Sequence, residues 1–205
     1  SVIVGGPDPA DRNVIAGSGR DLSSPALPGG GQNTIRVNSV VAERGRILFQ
    51  GNLFGLGPDG VTPLPFRDPL IVNPGDDSFD TPLVEVLDNR FSRAVRNFSC
   101  NCGGALRVSI GRVMLENALI QGNVFGLGID GGVIANERDH IEVFLGNNQR
   151  VPRLLIGGLG AGEGNTFAGG LPRGTTIGAS AALGSAVVLP SGTVSTFVEF
   201  VGNTM

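Results

Sequence analysis

The chain has 205 residues, of which 40% are hydrophobic, and its formal net charge at pH 7 is −3. Thirty-four Gly and 13 Pro argue against long helices, because an interior Gly costs about 1 kcal/mol and a Pro about 3 kcal/mol relative to Ala. All fifteen basic residues are scattered Arg, and no Tyr or Trp is available for base stacking, so the composition excludes nucleic-acid binding. No apolar run approaches the roughly 18 residues of a membrane-spanning helix.

Five segments alternate apolar and polar side chains as half-buried strands do, and no helical periodicity extends beyond two turns. In chain order these segments are 34–40, 47–50, 83–87, 106–110 and 197–201. The sequence therefore predicts an all-β chain. Its length and apolar content are sufficient for one core, so residues 1–205 are expected to form a single domain.

Two pairs of segments repeat within the chain. Residues 50–60 (QGNLFGLGPDG) recur with two differences as residues 121–131 (QGNVFGLGIDG). An apolar run that ends in Gly-Gly at residues 2–6 is followed after six residues by 13–17 (NVIAG), and 154–158 is followed in the same way by 165–169 (NTFAG). Self-similarity of this kind indicates a repeat architecture.

An Asn follows the short apolar runs at a fixed place in the repeat. Such a pattern fits a parallel β-helix, in which each coil of the chain supplies short strands that pair with the coils above and below. The side-chain amides at inward corners would bond from coil to coil as a ladder, and the adjacent Gly would supply positive φ. The predicted ladder residues are Asn13, Asn52, Asn89, Asn123, Asn147, Asn165 and Asn203, with roughly one coil for each.

Two motifs resemble those of the right-handed parallel β-helix proteins in the pectate-lyase-like superfamily, especially bacterial secreted or surface proteins. They are Gly5-Gly6 through Arg12 to Gly17, and Gln121 to Gly126. The resemblance implies a single-stranded β-solenoid and an extracellular or cell-surface location. It leaves the activity open, since lyases, hydrolases, phage spikes and adhesins share this fold.

Two stretches are expected to leave the coil wall as outward loops. Residues 58–82 contain six Pro, at positions 58, 63, 65, 69, 74 and 82, and Pro cannot donate hydrogen bonds to a strand ladder. Residues 129–153 follow the second copy of the repeat motif and are expected to leave at the same corner. The two excursions would form one decorated edge, where such proteins commonly make contacts.

Acidic residues at outward strand positions are the only candidates for catalysis. Polysaccharide hydrolases use paired carboxyl groups, and lyases use a base near a cation. Glu85, Glu142 and Glu199 offer such a row, with Asp139 nearby, although a solvated outer face explains them better. Asp139 and His140 are adjacent and are expected at a loop surface. The absence of Trp and Tyr weakens a carbohydrate-enzyme interpretation further.

Two clusters suggest metal binding or a disulfide. Asp76, Asp77 and Asp80 lie within five residues and offer oxygen ligands for Ca²⁺, although Asp and Gly are also common in turns. Cys100 and Cys102 fit unpaired thiols, a strained local disulfide or half of a metal site shared between chains. No cofactor other than calcium is expected.

The two ends of the chain look like parts of the repeat. Strand-like sequence begins at Val2, residues 200–205 resemble an unfinished repeat, and no cap is recognisable at either end. Residues 201–205 followed by 1–6 resemble 145–148 followed by 154–158. The chain is therefore expected to be either an excerpt of a longer β-helix or a subunit that stacks head to tail, which gives a filament when the assembly does not close.

The leading hypothesis is a secreted or cell-surface structural β-helix without catalysis, acting as a filament subunit, adhesin or stalk segment. Its expected partners are further copies of itself, joined end to end, and surface glycans. A β-helix that binds or cleaves polysaccharides is the first alternative. A phage tail-spike segment is the second.

Overall fold

The computed structural model describes residues 2–16, 36–38, 46–66, 70–73, 83–94, 104–110, 118–136, 139–145, 154–169, 182–183, 187–188 and 198–204. Over these residues the chain forms strands, turns and one short 3₁₀ helix, Pro9–Asp11. None of the helices in this part of the chain is long and apolar enough to cross a membrane. The prediction of an all-β chain is confirmed.

Seventeen strands are described, and most have two to five residues. They are β1 (Val2–Gly5), β2 (Val14–Ile15), β3 (Arg36–Asn38), β4 (Arg46–Gln50), β5 (Leu53–Phe54), β6 (Leu70–Asn73), β7 (Leu83–Leu87), β8 (Arg90–Phe91), β9 (Gly104–Ile110), β10 (Ala118–Gln121), β11 (Val124–Phe125), β12 (Asp139–Leu145), β13 (Leu154–Gly157), β14 (Thr166–Phe167), β15 (Ala182–Leu183), β16 (Val187–Val188) and β17 (Val198–Val201).

The strands build three sheets, and the chain visits them in a fixed order. The first sheet has the order β1-β4-β7-β10-β13-β17, the second β2-β5-β8-β11-β14, and the third β3-β6-β9-β12-β16 with β15 at its edge. All pairings between named strands are parallel except that of β15 with β16. Each pass through the three sheets is one coil, and this arrangement is compatible with a β-solenoid.

The register is kept from coil to coil. One column of the first sheet consists of the partners Val2, Ile47, Val84, Ala118, Leu154 and Val198. Successive coils therefore take 45, 37, 34, 36 and 44 residues, the differences between these numbers. Since the wall strands stay in register, the variation in length falls on the connections between them.

The apolar alternation of the sequence decides which side chains face inward. In β7, Val84 and Val86 are 1% and 0% exposed, and their partners in β10, Ala118 and Ile120, are equally buried. These side chains belong to one continuous hydrophobic cluster that also includes residues of the second and third sheets. The core thus runs along the stack of coils, because each coil contributes side chains to the same interior columns.

Five coils cross all three sheets, and β17 begins a sixth. The expectation of roughly seven coils, one for each Asn, is therefore not met within the described residues. Asn147 lies outside the described residues. The similar segments 201–205 and 145–148 do not follow equivalent strands, because β17 belongs to the first sheet whereas Leu145 ends β12 in the third.

Candidate functional site

Six asparagines form a hydrogen-bonded column at the corner between the first and second sheets. The four inner members, Asn52, Asn89, Asn123 and Asn165, are 0% or 1% exposed. Asn13 lies before them in the first coil and is exposed, and Asn203 lies after them in the sixth coil and is half-buried. We call this column the asparagine ladder.

Every step of the ladder uses the same pair of bonds. The backbone N–H and the side-chain Nδ2 of Asn123 donate to Oδ1 of Asn165 over 2.9 and 3.0 Å. The Oδ1 of Asn123 accepts the equivalent pair from Asn89 over 3.0 and 3.1 Å. The Nδ2 of Asn123 also donates backwards, to the carbonyl of Val86 in the preceding coil over 2.7 Å. Each buried amide is therefore satisfied on both sides.

The residue before three of the four inner Asn makes the sharp corner that turns the amide inward. Gly51 and Gly122 adopt φ of 69° and 65°, a region that suits Gly because it has no Cβ. In the third coil Asp88 takes this place with φ of 56°, and Asp is one of the residues that tolerate the left-handed conformation. In the first and fifth coils the strand ends instead at a Gly with positive φ, Gly5 or Gly157, and the Asn follows eight positions later.

A column of phenylalanine rings stands beside the ladder, on the inner face of the second sheet. The centroids of Phe54 and Phe91 are 4.5 Å apart, those of Phe91 and Phe125 are 5.0 Å apart, and those of Phe125 and Phe167 are 5.0 Å apart. The interplanar angles are 10° to 12°. These Phe residues follow the ladder Asn by two positions, so the repeated Gly-Asn-x-Phe motif places polar and aromatic side chains in two parallel columns.

The corner between the second and third sheets carries two hairpins, which correspond to the two copies of the long repeat. Hairpin 1 (residues 55–66) is closed by bonds from Gly57 N to Thr62 O and from Leu64 N to Gly55 O. Hairpin 2 (residues 126–136) is closed by the matching bonds from Gly128 N to Gly132 O and from Ile134 N to Gly126 O. At both tips an Asp side chain accepts backbone N–H bonds, as is usual for Asx turns.

The two hairpins contact each other above the third coil, where the described chain passes directly from Phe91 to Ala94, the bridge partner of Phe66. The N–H of Ile129 in hairpin 2 donates to Gly60 O in hairpin 1 over 3.0 Å. From the third coil, Arg90 Nη1 and Ser92 Oγ donate to the carbonyls of Gly128 and Leu127 over 2.9 and 3.1 Å. The hairpins thus form one decorated edge. The predicted excursions 58–82 and 129–153 are too long, because they include the wall strands β6 and β12.

His140 lies under hairpin 2 and is 3% exposed. Its Nδ1 is 3.0 Å from Nδ2 of Asn136, which is fully buried. The ring centroids of Phe125 and Phe167 both lie 5.7 Å from that of His140. Burial lowers the pKa of His140 to about 4. The prediction that His140 lies at a loop surface is wrong, since it belongs to β12 and its side chain packs inside the coil.

The acidic candidates are placed on different parts of the wall. Glu85 is 8% exposed and forms an ion pair with Arg46, so the predicted solvated position is wrong for this residue. The Glu85 carboxylate raises the pKa of Arg46 through their hydrogen bond. Glu199 occupies the same outward column three coils further along, about 14 Å away at 4.8 Å per coil. These two carboxylates are therefore not brought together.

The other candidate residues give no site within the described ranges. Asp139 and Glu142 lie on β12 in the third sheet, apart from Glu85 and Glu199 in the first. The calcium candidates Asp76, Asp77 and Asp80 and the cysteines Cys100 and Cys102 lie outside the described residues. In the part of the chain that the structure describes, no group of three or more His, Cys, Asp or Glu side chains is arranged to hold a metal ion.

Comparisons of this chain with protein-family models, with curated proteins and with solved structures find no match. The asparagine ladder and the two hairpins are the distinctive features of the described residues.

Proposed function

We propose that this chain is a structural parallel β-helix of the right-handed type, secreted or exposed at a cell surface, which acts as a filament subunit, adhesin or stalk segment by stacking coil on coil. The observation that carries the proposal is the direction of the asparagine ladder. The extracellular location rests on the resemblance of the Gly-Asn-x-Phe-Gly motifs to secreted β-helix proteins of the pectate-lyase-like superfamily.

The ladder is polar, so its two ends differ and complement each other. At every step the Asn of one coil donates its backbone N–H and Nδ2–H to Oδ1 of the next coil. Asn203 therefore has a backbone N–H with no described acceptor, and the Oδ1 of Asn13 has no described donor. A second copy placed with its first coil on β17 would join these groups with the geometry that the inner steps already use.

Apolar side chains at the two end coils support the same arrangement. Val4 and Ile15 in the first coil, and Phe200 in the sixth, pack against the core but stay partly exposed. Their counterparts in the inner coils are fully covered by a coil on each side. Stacking would bury these side chains, at roughly 25 cal/mol for each Å² of apolar surface removed from water.

The proposal fixes the repeat distance of the polymer. Neighbouring coils are separated by about 4.8 Å, and the described residues of each chain supply five coils plus the beginning of a sixth. The axial rise per subunit is then about 24 to 29 Å. Seven coils would have given a rise of about 34 Å.

A pair of substitutions on β1 tests the stacking. Val4 points into the coil and Ile3 points outward, where it is 60% exposed. Val4→Lys places a charge on the end cross-section and is expected to abolish assembly, whereas Ile3→Lys adds the same charge outside and is expected to leave assembly intact. Sedimentation velocity over a concentration series, followed by electron microscopy of the larger species, measures both, with thermal unfolding as a check that both variants fold.

Two results would contradict the proposal. One is a wild-type chain that stays a monodisperse monomer at high concentration. The other is an assembly that Val4→Lys and Ile3→Lys affect equally, because contacts other than coil stacking would then hold the copies together.

A further inference from the structure

Asn136 joins three parts of the molecule through one side-chain amide. Its Oδ1 accepts the backbone N–H of Ala94 in the third coil over 2.9 Å, and its Nδ2 donates to the carbonyl of Phe91 in the same coil over 3.0 Å. The same Nδ2 lies 3.0 Å from Nδ1 of His140. Asn136 is also the last residue of hairpin 2, so these bonds fasten the hairpin to the coil beneath it.

The backbone partners determine the orientation of the amide. The N–H of Ala94 can only donate and the carbonyl of Phe91 can only accept, so Oδ1 must face the first and Nδ2 the second. The Nδ2 therefore presents a donor to His140, and Nδ1 of the imidazole must accept. It follows that the ring is neutral and carries its proton on Nε2.

Protonation of His140 is incompatible with this network. A proton on Nδ1 would face the Nδ2–H of Asn136, donor against donor. Rotating the amide by 180° relieves that contact but opposes Nδ2 to the N–H of Ala94 and Oδ1 to the carbonyl of Phe91. Neither orientation satisfies all three groups, and at this depth an unsatisfied polar group costs about 1 to 3 kcal/mol.

The described neighbours of His140 include no carboxylate that would pair with the charged ring. The rings of Phe125 and Phe167 pack around it, and its described hydrogen-bond partner is Asn136. None of these three residues titrates. Several charged residues adjoin the network in sequence. Glu137 and Arg138 follow Asn136 and lie outside the described residues, Asp139 precedes His140 on β12, and Arg90 and Arg93 precede Phe91 and Ala94 in the third coil.

We propose that His140 and Asn136 form an acid-sensitive latch, which holds hairpin 2 against the third coil at neutral pH and releases it when His140 is protonated. This inference does not depend on the proposed stacking. The contact between the hairpins, from Ile129 N to Gly60 O, is attached to the latch through hairpin 2. Opening is therefore expected to loosen the decorated edge before the ladder.

The size of the effect follows from proton linkage. A released His140 titrates near its ordinary pKa of about 6.5, whereas burial lowers the pKa in the closed latch to about 4. Protons then bind the open form preferentially, so opening becomes more favourable as pH falls below 6.5. Between pH 7 and pH 5 the ratio of open to closed latch is expected to rise about 20-fold.

His140 is the single histidine of the chain, so its NMR signals need no assignment by mutagenesis. The ¹⁵N shifts of the wild-type ring at pH 7 are expected to show the Nε2–H tautomer, and a pH titration is expected to show a midpoint well below 6. An Nδ1–H tautomer, or an ordinary midpoint near 6.5, would overturn the proposal without any variant.

Amide hydrogen exchange tests the release itself. The amides of Ala94, Ile129 and Ile134 report on the latch and hairpin 2, and the amide of Val124, which donates to Asn89, serves as the ladder reference. After correction for intrinsic exchange, the first three are expected to exchange about 20-fold faster at pH 5 than at pH 7. His140→Gln keeps an acceptor and cannot titrate in this range, so it is expected to remove the pH dependence. An equal acceleration in His140→Gln, or in Val124, would contradict the latch.

Discussion

Replacing Asn123 by Leu tests the asparagine ladder at a fully buried step. The change removes the acceptor of the Asn89 backbone N–H and of the Asn89 Nδ2, and it removes the donor to the Val86 carbonyl. The Asn89 N–H then has no acceptor, and a stranded buried group costs about 1 to 3 kcal/mol. The other lost bonds add about 1 kcal/mol each. We expect the free energy of unfolding to fall by about 3 kcal/mol or more.

Asn13→Leu is the matched control for this experiment. Asn13 makes the same kind of bond, from Nδ2 to Oδ1 of Asn52 over 3.0 Å, but it is exposed at the end of the ladder. Water can replace the lost partner there, so the expected cost is below about 1 kcal/mol. Urea unfolding of the wild type and both variants measures the difference. Equal effects at the two positions, or a change at Asn123 within about 0.5 kcal/mol, would refute the ladder's contribution to stability.

Two further predictions concern a corner glycine and the response to pH. Gly126 and Gly131 both have positive φ, near 80°, but a Cβ on Gly126 would overlap the Ala168 carbonyl whereas a Cβ on Gly131 meets open space. Gly131→Ala is expected to lower the free energy of unfolding in urea by about 1 to 2 kcal/mol, and Gly126→Ala is expected to lower it clearly more. Equal losses for the two variants would contradict the packing of the second sheet at this corner. Burial lowers the pKa of His140 to about 4. The folded state therefore binds fewer protons than the unfolded state between about pH 6.5 and pH 4. As pH falls through that window, the free energy of unfolding is expected to drop by about 3 kcal/mol. Unfolding curves of the wild type and His140→Gln measure this loss, and a variant with the same acid sensitivity as the wild type would contradict it.

The sequence predicted the ladder because its cause is local. In the second, third, fourth and sixth coils a strand, a residue with positive φ and an Asn are adjacent in the chain, and in the first and fifth coils the Asn follows the positive-φ Gly eight positions later. The same local pattern also follows β12 at Asn147, which is why counting Asn residues overestimated the number of coils. Which corner a Gly-Asn pair occupies depends on the pairing between coils, and a local motif does not contain that information.

The latch residues could not be predicted because their environment is made by distant segments. Asn136 is bonded to residues 42 and 45 positions away in the chain. His140 is buried by the ring of Phe125 from its own coil and that of Phe167 from the next coil. The neighbouring Asp139 suggested that Asp139 and His140 lie together at the surface. A histidine that stands between an acidic residue and an apolar segment is equally compatible with an inward position in a strand. The hairpin ends were missed for a related reason, since Pro-rich sequence surrounds the short wall strand β6.

Side-chain amide exchange of the asparagines tests the central claim most directly, namely that the coils are joined by a continuous buried ladder. The Nδ2 protons of Asn52, Asn89, Asn123 and Asn165 are each bonded to a side chain in the next coil and a carbonyl in the preceding one. We predict that these four side-chain amides exchange slowly in the NMR spectrum, with cross-peaks linking each to the next member. Rapid exchange of these four amides, at the rate of Asn side chains in an unfolded peptide, would contradict the account.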